Sequence, residues 1–212
     1  MTYAARLGSF RDEAVAASKP SEQRDSKRFT LLIRAAKLIT EQGEFLCVIR
    51  DVSETGLSVT LFHKLPDCHR LVIQFQNGDR HNAQLVWERE DRAGFRFTDQ
   101  ADIVRIIESP SAYSKRPMRV SLALAGIMQA GLERFPVELI DISQQGARLS
   151  CESVQPIDRR VKLLIEGMPD TDAKVRWRRD GECGLVFENT FQLGELATIV
   201  AAWNGIPPTR NS

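Results

Sequence analysis

Two short polar segments of the sequence carry residue types that could build a binding site. Both read Asp-x-Ser-x-x-Gly between strand-like apolar runs: Asp51, Ser53 and Gly56 in the first, and Asp141, Ser143 and Gly146 in the second. A carboxylate accepts hydrogen bonds, a hydroxyl donates and accepts them, and glycine permits a positive φ or a close backbone approach. The structural alternative is a turn at a strand junction, stabilised by side chain to backbone hydrogen bonds.

A pair of arginines precedes the first strand-like run. Arg24 and Arg28 are four residues apart in "RDSKR", which places them about 13 Å apart in extended chain. That separation could hold a ligand with two anionic or guanine groups. The arginine fork pairs bidentately with phosphate, reads guanine O6 and N7, and stacks on a base. The alternative for this polar stretch is a solvated basic segment.

The chain repeats itself with an offset of ninety residues, because three further landmarks recur in register. These are Trp87 and Trp177, Gly94 and Gly184, and Phe97 and Phe187. Each copy contains alternating strand-like runs, as at Leu57, Val59 and Leu61 or at Leu71, Ile73 and Phe75. A stretch with helical spacing closes each copy, at 98–109 and 190–203. We therefore predict two small antiparallel barrels or sandwiches, with both tryptophans in the core or at the barrel rim.

The repeat sets the expected domain boundaries. We predict a flexible or partly helical tail over residues 1–21, a first domain over 22–108, and a linker with a second basic loop over 109–117. A second domain over 118–206 and a short tail over 207–212 complete the chain.

The composition excludes several classes of function. The chain has 212 residues, 42% of them hydrophobic, and a formal charge of +1, so no global attraction to nucleic acid or anionic lipid is expected. It has no run of 18 apolar residues and no signal-like apolar segment at its start, which predicts a cytoplasmic protein without membrane insertion. It lacks catalytic motifs and metal-ligand spacings. We expect no enzyme activity, no metal and no cofactor.

The ordered combination of Arg24-x-x-x-Arg28 and Asp51-x-Ser53-x-x-Gly56 resembles the PilZ domain family of bacterial cyclic di-GMP receptors. The resemblance implies that each copy is a six-stranded antiparallel β-barrel followed by a C-terminal helix. It further implies that the two arginines clamp cyclic di-GMP, while Asp51, Ser53 and Gly56 form the opposing wall. Asp51 would bind a guanine edge or hold an arginine, and Ser53 would bond to phosphate or backbone.

The second copy departs from this pattern in its basic loop. Lys115 stands where Arg24 does and Arg119 stands where Arg28 does, with Arg116 nearby. Lysine is a point charge and cannot replace a bidentate, stacking guanidinium. Asp141, Ser143 and Gly146 are intact, so the second copy is a weaker candidate site.

Two functions of different classes remain open at this point. One is a non-catalytic cyclic di-GMP receptor that changes its loop and inter-domain conformation and acts through a protein partner on motility, surface polysaccharide or related behaviour. The other is a ligand-independent scaffold for protein–protein interaction. Self-association through the second copy is compatible with both, and nucleic-acid binding is not expected.

Overall fold

The computed structural model describes residues 29–68, 70–108, 117–153 and 155–207. For residues 29–33, 103, 107 and 108 it describes the backbone only. Arg24, Arg28, Lys115 and Arg116 lie outside the described residues, as do the predicted tail over 1–21 and most of the predicted linker.

Twelve strands form two closed antiparallel barrels of six strands each, which confirms the predicted fold class. The strands of the first barrel are β1 (Phe29–Thr40), β2 (Gly43–Ser53), β3 (Gly56–Leu61), β4 (Arg70–Gln74), β5 (Arg80–Arg89) and β6 (Arg92–Phe97). Those of the second barrel are β7 (Val120–Ala130), β8 (Glu133–Ser143), β9 (Gly146–Ser150), β10 (Arg160–Leu164), β11 (Thr171–Arg179) and β12 (Glu182–Phe187). The order around the first barrel is β1-β2-β3-β6-β5-β4, and the second barrel follows the same order.

The barrel interiors are filled by the alternating apolar residues of the strands. Leu57, Val59 and Leu61 of β3 are all buried, as predicted. The hairpin between β11 and β12 turns on Asp180 and Gly181, whose φ angles are 49° and 77°. Such a pair of positive φ values gives the tight turn whose twist matches the two flanking strands.

One helix follows each barrel, as predicted: α1 (Ile103–Glu108) and α2 (Leu193–Trp203). The Asp102 carboxylate accepts the backbone N–H of Arg105 at 3.0 Å and so caps α1. Helix α2 ends in a Schellman motif, because Gly205 has a φ of 75° and the N–H of Ile206 bonds to Ala201 O at 2.8 Å. No helix among the described residues is long and apolar enough to cross a membrane.

The two barrels pack against one another through helix α2. Leu46 of β2 is fully buried and belongs to the core of the second barrel, whereas Ala201 of α2 is buried in the core of the first. Asn204, which ends α2, donates its side-chain N–H to Glu44 O at 3.1 Å. The inter-barrel contact therefore combines apolar packing with specific hydrogen bonds.

Candidate functional site

Strand pairing places the start of β1 beside the first Asp-Ser-Gly motif. Phe29 is paired with Val52, and Thr30 with Asp51. Arg28 directly precedes Phe29 in the chain. The first two described residues after the predicted arginine pair therefore lie opposite residues of the motif segment.

Asp51 lies on the outer wall of the first barrel. A β-bulge between Ile49 and Asp51 interrupts the pairing of β2 with β3 at this point. The Asp51 side chain is partly buried, and its Oδ2 accepts a hydrogen bond of 2.6 Å from the hydroxyl of Ser58. This bond orients the carboxylate, because the donor sits on the directly opposite residue of the neighbouring strand.

The serine of each motif turns inward and shapes the turn. The hydroxyl of Ser53 donates to the carbonyl of Gly56 at 3.2 Å, and that of Ser143 donates to the carbonyl of Gly146 at 3.1 Å. Both side chains are almost fully buried. Of the two partners expected for Ser53, phosphate or backbone, the structure has the backbone.

The glycine of each motif allows two strands to approach closely. A Cβ added to Gly56 would overlap the carbonyl oxygen of Phe95, and one added to Gly146 would overlap that of Leu185. Neither glycine is among the residues with positive φ. Close backbone approach, and not a left-handed conformation, explains both glycines.

The register of four neighbouring strands extends the site to a tryptophan. Asp51 is opposite Ser58, Ser58 is opposite Gly94, and Gly94 is opposite Trp87. These four residues are called the first outer row. Gly94 lacks a Cβ where the Trp87 indole packs, since an added Cβ would overlap the indole nitrogen.

Neither Trp87 nor Trp177 lies inside a barrel core. Trp87 is 38% exposed and Trp177 is 39% exposed. A β-bulge between Leu85 and Trp87 shifts the register of β5 and turns the indole to the outer wall. The sequence carries a sign of this contact, because a glycine follows Trp87 and Trp177 at the same interval of seven residues.

The first outer row offers complementary groups for a guanine nucleotide. An exposed indole gives a face on which a base can stack, and a carboxylate can accept from the N–H groups of guanine.

The second copy has an outer row in the same register, but it is occupied by charged side chains. Asp141 is opposite Arg148, Arg148 is opposite Gly184, and Gly184 is opposite Trp177. Arg148 donates to both oxygens of the Glu182 carboxylate, at 2.8 and 2.7 Å. Asp141, Arg148, Gly184 and Trp177 are called the second outer row.

The predicted aspartate and arginine of the second copy are in contact. Arg119 forms an ion pair with Asp141. Together with the Arg148–Glu182 pair, this contact leaves Arg119 and Arg148 engaged by carboxylates of the chain itself.

One cavity of the first barrel is away from this site. It has a volume of about 640 Å³ and is lined by residues that include Ile39, Val72 and Gln84, near the other end of β1. None of the predicted site residues lines it.

Metal-binding groups are not gathered in the part of the chain that the structure describes. Within it, no three His, Cys, Asp or Glu side chains are grouped so that they could hold an ion.

Comparison with known proteins identifies both halves of the chain. The family model described as PilZ domain matches residues 22–109 and again residues 114–202. No curated protein is significantly similar to the chain.

Three solved structures illustrate the likeness at the level of the fold. The Borreliella burgdorferi PlzA protein in complex with c-di-GMP is 9% identical, with a TM-score of 0.35, and the match covers 84% of this chain and 93% of that one. The Bacillus subtilis inhibitor of motility MotI/DgrA is 13% identical, with a TM-score of 0.36 and coverages of 81% and 95%. Escherichia coli YcgR in complex with c-di-GMP is 12% identical, with a TM-score of 0.29 and coverages of 80% and 82%.

Proposed function

The chain belongs to the PilZ domain family, and we propose that its first barrel is a non-catalytic receptor for cyclic di-GMP. The observation that carries this proposal is the pairing of Thr30 with Asp51. Thr30 follows Arg28 by two residues in the sequence, which supports a site in which the arginine pair and this wall close on one ligand. Matched structures of PlzA and YcgR hold the same dinucleotide.

Each residue of the proposed site has a distinct task. Arg24 and Arg28 clamp phosphate and guanine groups, and Asp51 accepts from a guanine edge or holds one of these arginines. Gly56 keeps β3 close to β6, while Ser53 fixes the turn that presents Asp51. Trp87 adds a stacking face at the far end of the first outer row.

The switch in this proposal is the arginine loop. Capturing a ligand orders residues 24–28 across the outer wall and creates a new surface, which a protein partner can recognise. An accompanying change in the angle between the barrels has to repack the buried contact around Leu46 and Ala201. We place the first domain at 22–108 and the second at 118–206, in a cytoplasmic adaptor that acts on motility or surface polysaccharide.

The ion pairs of the second barrel favour the scaffold function for that domain. Its Arg119 is paired with Asp141, and its Arg148 is paired with Glu182. A ligand entering the second outer row has to break these ion pairs, which engage both the aspartate and the opposing arginine of that row. We propose that the second barrel serves mainly as an interaction and support module.

Calorimetric titration with cyclic di-GMP tests this division of labour. The wild-type chain should show saturable heat from one occupied pocket. Arg28→Ala and Asp51→Ala should abolish that heat. Asp141→Ala and the charge-matched control Arg160→Ala should retain it, since the Arg160 side chain is 79% exposed on the second barrel. Absence of heat with the wild-type chain rejects the receptor and leaves the scaffold, while loss of heat in Asp141→Ala assigns the ligand to the second copy.

A further inference from the structure

Two side chains of the first barrel hold the main chain at the start of the second. Lys37 is 5% exposed, and its Nζ donates to Arg119 O at 3.0 Å and to Glu44 Oε2 at 2.8 Å. The same Glu44 oxygen accepts the backbone N–H of Ser121 at 2.6 Å. The ammonium and the carboxylate therefore fix the peptide units on both sides of Val120.

The repeat provides an internal control for the role of this ion pair. Ninety residues on, the positions of Lys37 and Glu44 are taken by Ile127 and Arg134. The second barrel closes with the same strand order without a lysine–glutamate pair there. The pair is therefore not required to close a barrel of this kind, and its role lies in the contact between the barrels.

Stability alone is a weak reason to bury these two charges. An ion pair taken out of water is often no more stabilising than well-packed apolar residues, although removing only one partner is costly. What the pair adds is directed hydrogen bonding to the main chain. Lys37 donates to the carbonyl of Arg119, and Glu44 accepts the backbone N–H of Ser121. Ser121 is directly opposite Asp141 in the register of β7 and β8, so holding Ser121 also sets where Arg119 meets Asp141.

We propose that Lys37 and Glu44 are positioning residues for the Arg119–Asp141 ion pair, which makes the second candidate site a composite of both barrels. A cavity of about 270 Å³ between the barrels supports this proposal, because Lys37 and Gln74 line it from one side and Arg119 and Asp141 from the other. The buried Gln74 Oε1 has no hydrogen-bond partner among the described residues. The inference concerns the second copy and does not depend on ligand binding by the first.

Arginine side-chain NMR of the full chain measures this positioning directly. The Nη–Hη signal of Arg119 is followed, because Nη1 donates to Asp141. It is assigned by its loss in Arg119→Lys, and its unpaired position is given by Asp141→Ala. In Lys37→Met and in Glu44→Ala the signal should move to that unpaired position, although Arg119 and Asp141 are both intact. Glu44→Gln, which retains an acceptor for Ser121, should preserve most of the paired signal.

Lys162→Met is the matched control. Lys162 forms an ion pair of 2.9 Å with Asp172 on the second barrel, away from the inter-barrel contact, so its removal should leave the Arg119 signal in place. A purely stabilising role for Lys37 and Glu44 lowers the unfolding midpoint without moving the Arg119 signal, and that result overturns the proposal. If Lys37→Met does not fold, Glu44→Ala decides the question by the same signal.

Discussion

Ser58 donates its hydroxyl hydrogen to Asp51 across 2.6 Å, and this contact distinguishes the two copies. At the equivalent place in the second copy stands Arg148, which is bound to Glu182. A neutral hydroxyl at this place brings no charge of its own next to Asp51, whereas the second copy has the guanidinium of Arg148 there. Asp141 is also paired with Arg119.

Trp87 should report ligand binding to the first outer row. Stacking of a base on an aromatic side chain is worth about 1–3 kcal/mol, so Trp87→Ala should weaken cyclic di-GMP binding by roughly 5- to 150-fold. The change in indole emission on titration should disappear in Trp87→Phe. It should persist in Trp177→Phe, because that indole lies in the second outer row. Equal effects of the two substitutions contradict the assignment of the ligand to the first copy.

The barrels were predictable from the sequence because their strands alternate. Buried Leu71 and Ile73 of β4 follow the period of two that the sequence displays. The pattern did not decide between core and rim for Trp87, because the bulge next to it breaks that period. A bulge depends on the pairing of two strands distant in sequence, so a single-strand pattern cannot locate it.

The close strand contacts at Gly56 and Gly146 should be equally sensitive to a methyl group. Gly56→Ala and Gly146→Ala each place a Cβ against a backbone carbonyl that cannot rotate away. Forcing extra atoms into packed structure costs about 1–3 kcal/mol, and we expect that loss in urea unfolding for both variants. Ligand contact is proposed only for the first copy, so a role in ligand binding alone would distinguish the two glycines. A large loss of unfolding free energy in Gly56→Ala with none in Gly146→Ala would falsify the packing explanation.

The inter-barrel contacts could not be predicted from the sequence. Glu44 and Ser121 are 77 residues apart, and nothing in their local patterns links them. The sequence likewise left two partners open for the Ser53 hydroxyl, phosphate or backbone. The burial of this residue could not be read from the motif spacing. Motif spacing identifies residues that lie close together, whereas the partner of each side chain depends on the three-dimensional register.

His63 should make the stability of the chain pH-dependent. Burial lowers the pKa of His63 below its usual value, although the carbonyls of Lys64 and Leu46 partly oppose this effect. The unfolded chain therefore binds more protons than the folded chain as the pH falls through about 6.5. The free energy of unfolding should decrease with acidification in that range, by at most about 1.4 kcal/mol per pH unit for one proton.

Urea titrations between pH 8 and pH 5 measure this dependence. His63→Gln should remove the part of the slope that arises near pH 6.5, whereas His81→Gln serves as a control that should keep it. An unchanged slope in His63→Gln assigns the pH dependence to other groups.

Leu46 should couple the unfolding of the two barrels. It belongs to β2 but is fully buried in the core of the second barrel, so Leu46→Ala leaves a cavity at the inter-barrel contact. Such truncations cost about 2–5 kcal/mol. Val86→Ala, at a position that is 54% exposed, should stay within about 0.5 kcal/mol of wild type.

The coupling can be followed with one tryptophan in each barrel. Two reporter variants each keep a single tryptophan, Trp87 or Trp177, and have the others replaced by phenylalanine. With Leu46 intact, the two variants should give the same urea midpoint. Leu46→Ala should lower both midpoints together, because the residue contributes to the contact that both barrels share. A decrease confined to the Trp87 signal means that the barrels unfold independently, and the packing of α2 between them then contributes little to the stability of the second barrel.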